Sequence, residues 1–130
     1  MINYIWVEGS QRLMGHVEVK VVLTNPATGA VAEERGLVDT GATLTVLPRK
    51  VAASLGLMPK AKSRAMSAGG LIMIELSDAV VEIGGKSGIV RVAISDVIDR
   101  VLIGVTALET LGLTVDPLTG ELKESFYLLY

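Results

Sequence analysis

Runs of Val, Ile and Leu in this chain of 130 residues are short, and Gly, Pro or Asn interrupts them every ten or so residues. That spacing leaves no room for a long helix and favours many short strands. "HVEVKVVLT" (His16 to Thr24) alternates apolar and polar side chains as a half-buried strand does, and "NPATG" (Asn25 to Gly29) supplies turn residues before "AVAEERGLV" returns. "TLTVLP" reads as a short strand. Pro48 then opens "PRKVAASLGL" as a short helix that stops at Gly56. "LIMIELSDAVVEIGG" reads as two strands, with Gly84 and Gly85 turning into "SGIVRVAI". "RVLIG" is an apolar strand ending at Gly104. "VTALETLGL" follows as a helix, with Thr106 and Glu109 spaced for a capping box and Gly112 as its stop. "LTVDPLTGELKE" reads as a hairpin and "SFYLLY" as a last apolar strand. The expected fold is mostly β, a closed barrel or sandwich with one or two short helices, forming one domain over residues 1–130.

Composition removes several classes of function. The net charge is −2 and no basic block occurs, so neither nucleic acid nor an anionic membrane is an expected partner. With no Cys there is no disulfide, thiol nucleophile or thiolate metal site, and the lone His16 cannot build a zinc site. No metal and no cofactor is expected. Neither a membrane-helix run nor a signal-peptide pattern occurs in the sequence, which favours a cytoplasmic location. Half of the residues are hydrophobic, a surplus that a buried subunit interface would absorb.

One residue breaks the apolar pattern. In "GLVDTGATLTVLP" (Gly36 to Pro48) the carboxylate of Asp39 sits among residues that otherwise read as core, and burying an unpaired charge is costly. A turn-capping Asp beside Gly41 is the plain explanation. The wider pattern offers another. Asp39-Thr40-Gly41 with two apolar residues before it, Ala42 after it and an apolar strand leading to a helix resembles the active-site loop of retropepsin-like aspartic proteases. Further along, "MSAGGLIMI" (Met66 to Ile74) is similar to the glycine-tipped flap of that family, and "VLIG" (Val101 to Gly104) to the apolar-apolar-Gly strand that closes on the catalytic loop. The resemblance runs from about residue 15 to 115.

The resemblance implies a closed barrel of the acid-protease type, active as a twofold homodimer on peptide or unfolded protein. Asp39 would be the catalytic residue, with Thr40, Gly41 and Ala42 supporting its loop. Leu37, Thr43, Val46, Met66, Ser67, Ala68, Gly69, Gly70, Leu102 and Ile103 would contact substrate. The chemistry suits these residue types: two carboxyls a few ångströms apart cannot both ionise, so they share a proton and provide a base for water and an acid for the scissile carbonyl. No other Asp here is followed by Thr-Gly or Ser-Gly, so the second carboxyl would come from a second copy. Two positions depart from the viral pattern: Thr43 stands in place of an acid and Val105 in place of an Arg. Both members of the salt bridge expected there are therefore missing. The alternative to an endopeptidase is a catalytically inactive retropepsin-like module that dimerises or binds peptide.

Overall fold

A computed structural model describes residues 11–13, 16–125 and 129. In chain order its elements are β1 (Gln11–Leu13), β2 (His16–Thr24), β3 (Val31–Val38), β4 (Thr45–Pro48), α1 (Arg49–Ser54), β5 (Ala61–Ser67), β6 (Gly70–Ile83), β7 (Lys86–Ser95), β8 (Val101–Ile103), α2 (Val105–Leu111), β9 (Leu113–Val115) and β10 (Leu122–Glu124). The main sheet runs β1-β2-β3-β8-β4-β7-β6-β5, and a further pairing of β2 with β6 closes six of these strands into a barrel. β1 and β5 lie outside the ring. β8 is inserted between β3 and β4, parallel to β3 and antiparallel to β4. That insertion places the loop after β3 beside the strand that follows 62 residues later.

Alternation in the sequence becomes the two faces of the barrel wall. Val17, Val19, Val21 and Leu23 of β2 point inward and are buried, as are Val38, Leu47, Val81, Val92, Val101 and Ile103 from the other strands. Each such side chain contributes about 1.5–3 kcal/mol of burial free energy. Both helices end on Leu-Gly-Leu. Gly56 and Gly112 take φ of +65° and +67°, and the Leu57 and Leu113 that follow turn back into the core. The buried Asn25 locks the β2–β3 turn to the first of these helices, because its Nδ2 donates to the carbonyls of Leu55 (2.9 Å) and Gly56 (3.2 Å). Its Oδ1 accepts from the Ala27 amide at 2.9 Å.

The structure departs from the sequence reading in three places. "LIMIELSDAVVEI" is not two strands but the greater part of one 14-residue strand, β6. Ser77 and Asp78 do not break it because each finds partners. The Ser77 hydroxyl donates to the Met58 carbonyl at 2.9 Å, and Asp78 pairs outward with Lys60 (2.9 Å) and Arg91 (3.3 Å). The capping box on α2 does not form. Gly104 is the N-cap with no side-chain cap, and the Thr106 hydroxyl donates instead to the Thr43 carbonyl at 2.9 Å. The polar segment "AKSRA", not anticipated as a strand, forms most of β5 because the register of β6 gives its backbone a ladder. The terminal strand expected over "SFYLLY" lies largely outside the described residues.

Candidate active site

Asp39 follows the last residue of β3, and its amide donates to the Ile103 carbonyl at 2.9 Å, extending the parallel β3–β8 ladder by one bond. The chain then reverses. The Ala42 amide donates to the Asp39 carbonyl at 3.1 Å, and the Gly41 amide donates to Asp39 Oδ1 at 2.9 Å. Asp39 is half-buried, with Thr40 and Gly41 exposed beside it. The bond that caps the turn also fixes the orientation of the Asp39 carboxylate.

The start of α2 grips the other side of this loop. Val105 and Thr106 donate their amides to the carbonyls of Ala42 (2.8 Å) and Thr43 (3.1 Å), and the Gly104 amide donates to the buried Thr45 Oγ1 at 3.2 Å. A Cβ on Gly104 would lie 2.9 Å from the Thr45 nitrogen and closer still to the carbonyl of Leu44, so two stretches of main chain touch where only glycine fits. Gly36 is also confined, since a Cβ there would meet Ile103 side-chain atoms at 3.1 and 3.2 Å. Thr45 was not singled out from the sequence, although a Thr at a buried phase of "TLTVLP" was a usable signal.

Three of the residues expected to contact substrate come together. Leu37 pairs with Leu102 across β3–β8, and Leu102 pairs with Val46 across β8–β4. All three are half-buried on the outer side of the barrel wall. The row continues through Ala93 and Leu76, cross-strand neighbours that the sequence did not point to. Ile103 belongs to the other face and is fully buried, so what it offers the site is its carbonyl. Val105 and Thr43 lie within the α2–loop contact just described, and backbone hydrogen bonds there join the segments that an acid–Arg pair does not.

Met66, Ser67, Ala68, Gly69 and Gly70 gather at the tip of the β5–β6 hairpin. Ser67 and Gly70 form the last pair, and Ala68-Gly69 is the two-residue turn. The Ser67 hydroxyl donates to the Gly70 carbonyl at 2.8 Å and accepts from the Gly69 amide at 3.3 Å. Gly70 holds φ of +112°, which an L side chain resists. Met66, Leu71 and Met73 share one face of the hairpin and are 75, 66 and 65 % exposed, an apolar surface on a projecting arm. A concavity of about 350 Å³ lined by Lys20, Val22, Glu82, Gly84 and Gly85 lies at the other end of the barrel. Val22 is five residues along β2 from the partner of Val38, or about 17 Å from the Asp39 end.

The family described as "gag-polyprotein putative aspartyl protease" matches residues 32–110, more than half of the chain and the span that holds the Asp39 loop, the hairpin, β8 and most of α2. The chain belongs to this family. Its fold is that of retropepsin-like aspartic proteases: EIAV protease, solved with the inhibitor HBY-793, superposes with a TM-score of 0.65 over 82% of this chain and 97% of that one, at 19% identity. A comparison with characterised protein sequences found no match. As in that aspartyl protease family, the barrel here is mostly β with few helices, and no helix among the described residues is long and apolar enough to cross a membrane.

Proposed function

We propose that the chain is an aspartic endopeptidase in which Asp39 carboxyls from two copies, meeting on a twofold axis, activate a water to cleave a peptide bond. The observation that carries this reading is the Asp39 loop: its carboxylate is oriented by the Gly41 amide, its backbone is tied to β8, and its far side is gripped by α2. One such loop supplies one carboxyl, and the two-carboxyl reaction needs a second. One Asp39 takes a proton from the water while the other, holding the shared proton, donates to the scissile carbonyl. Extended peptide would lie over the Leu37–Leu102–Val46 row, with the β5–β6 hairpin closing above it and main-chain hydrogen bonds to the Gly41 carbonyl and with the hairpin tip aligning it. Residues 1–130 form one protease domain in this reading, and the apolar "SFYLLY" end contributes to the subunit interface.

The test is hydrolysis of an unfolded protein by purified wild type and Asp39→Asn, with sedimentation of both. Wild type should be active as a dimer, best at about pH 4 to 6, because the pair works only while it keeps its shared proton. Asp39→Asn should stay dimeric and lose activity by a factor of a thousand or more, on the order of removing one member of a catalytic pair. Residual activity near wild type, or full activity in a monodisperse monomer at micromolar concentration, would sink the mechanism.

A further inference from the structure

Beside the apolar row lies a group of charges that the catalytic reading does not use. Glu18 pairs with Leu37 across β2–β3, so both sit on the outer side of the wall. Arg35 is two residues before Leu37 on β3 and shares its face, and Arg100 is two residues before Leu102 on the approach to β8. The two arginines converge on one carboxylate. Arg35 Nε donates to Glu18 Oε1 at 2.9 Å and Arg100 Nη2 donates to Glu18 Oε2 at 3.2 Å. The Glu18 side chain is only 15 % exposed, whereas those of Arg35 and Arg100 are 48 and 44 % exposed.

One carboxylate against two guanidiniums leaves one positive charge over. The next charges on this face, Lys20 and Glu33, pair with each other at 3.2 Å and cancel. Asp99, adjacent to Arg100, ion-pairs with neither arginine among the described residues. Each guanidinium spends one N–H on Glu18, so each keeps most of its planar fork, the geometry that binds a carboxylate through two parallel bonds. Glu18 holds both forks in place, which lowers the entropy lost on binding a further anion. Position completes the argument. Arg35 is four residues before Asp39, about 13 Å along an extended strand, and an extended peptide covers that distance in about four residues.

We propose that Arg100 and Arg35, preorganised by Glu18, form a carboxylate-binding subsite at the rim of the groove and select peptides with an Asp or Glu within about four residues of the cleaved bond. This rests on the reading that peptide lies over the Leu37–Leu102–Val46 row. Neutral and basic side chains at that position bind less well.

The test uses Asp39→Asn protein, which cannot turn substrate over, and fluorescein-labelled decapeptides with an apolar centre in which Glu or Gln is placed at each other position in turn. Anisotropy should show one position at which Glu binds about three- to tenfold tighter than Gln, the range expected for a partly exposed charge-assisted pair. The preference should shrink as salt rises. It should disappear on adding Arg100→Ala, with the melting temperature unchanged. Equal affinity for Glu and Gln at every position overturns the proposal, as does a preference that survives in the Arg35→Ala/Arg100→Ala double variant. Wild-type cleavage of these peptides without a Glu preference would leave the peptidase standing and remove the subsite. A Glu preference in binding with no cleavage by wild type would do the reverse, and failure to bind any of the peptides would remove both.

Discussion

Gly104→Ala is the sharpest perturbation the structure offers. The φ of Gly104 is −89°, which suits any L-residue, so the added methyl is opposed by contact and not by backbone strain. That methyl would sit 2.9 Å from the Thr45 nitrogen and nearer the Leu44 carbonyl, where ordinary contact begins at 3.4 Å. Both neighbours are main chain and cannot rotate away, so the β8–α2 junction must move by half an ångström or more. Overpacking of this kind costs about 1–3 kcal/mol, and the upper end applies where only backbone can yield. At about 2.1 cal/mol/K per residue, unfolding a chain of this length has an entropy of about 0.27 kcal/mol/K, so 3 kcal/mol lowers Tm by about 11 °C. Gly69→Ala is the control: its methyl meets nothing closer than Ser67 Oγ at 3.9 Å, and Tm should stay level or rise slightly. Both variants should be melted by circular dichroism at one protein concentration, since association alone shifts Tm. Because the same junction holds Ala42 and Thr43, the proposed peptidase activity should fall in Gly104→Ala even where the protein is folded. A Tm within about 2 °C of wild type would refute the claim that the two backbones are in forced contact.

Three further outcomes are expected. Asn25→Ala leaves the buried Leu55 carbonyl without its donor and should cost about 1–3 kcal/mol in chemical denaturation. Among the described residues, four carboxyls have pKa values held below the ordinary carboxylate range: Glu18 chiefly by its bond from Arg35, Asp78 by Lys60, Asp96 by Arg49, and Asp116 by the Leu118 amide and Lys123. Groups lowered on folding stabilise above the unfolded pKa and lose that contribution as pH falls through the folded one. Stability should therefore be level from neutrality to about pH 5 and fall below about pH 4, leaving the proposed activity range intact. Arg49→Ala removes the bonds to Asp96 and Glu75 and should lower stability slightly at neutral pH, with the difference from wild type shrinking below about pH 4 as Asp96 takes up its proton.

How much of the site was legible in the sequence depends on whether its parts are local. The Asp39 turn was legible because its geometry is made within four residues: the Gly41 amide reaches back to its own carboxylate, and residue type alone signals that. The hairpin tip was legible for the same reason, as were the stops at Gly56 and Gly112. The long strand β6 was not, because Ser77 and Asp78 carry a turn-like signature that Met58, Lys60 and Arg91 cancel from elsewhere in the fold. β5 was hidden too, since most of its side chains are small or polar and exposed and only β6 makes it a strand. The outer row is the instructive case. Leu37, Val46 and Leu102 look like three ordinary core residues, and Ile103 like a fourth, until the register shows that the first three share one face and Ile103 the other. A single residue of slip would exchange those faces. The bond from the Asp39 amide to the Ile103 carbonyl fixes that register at the end nearest the carboxylate. One hydrogen bond thus both positions the Asp39 carboxylate and decides which side chains stand beside it. Glu18, Arg35 and Arg100, scattered along the sequence, become one cluster only once the same register brings β2, β3 and β8 side by side.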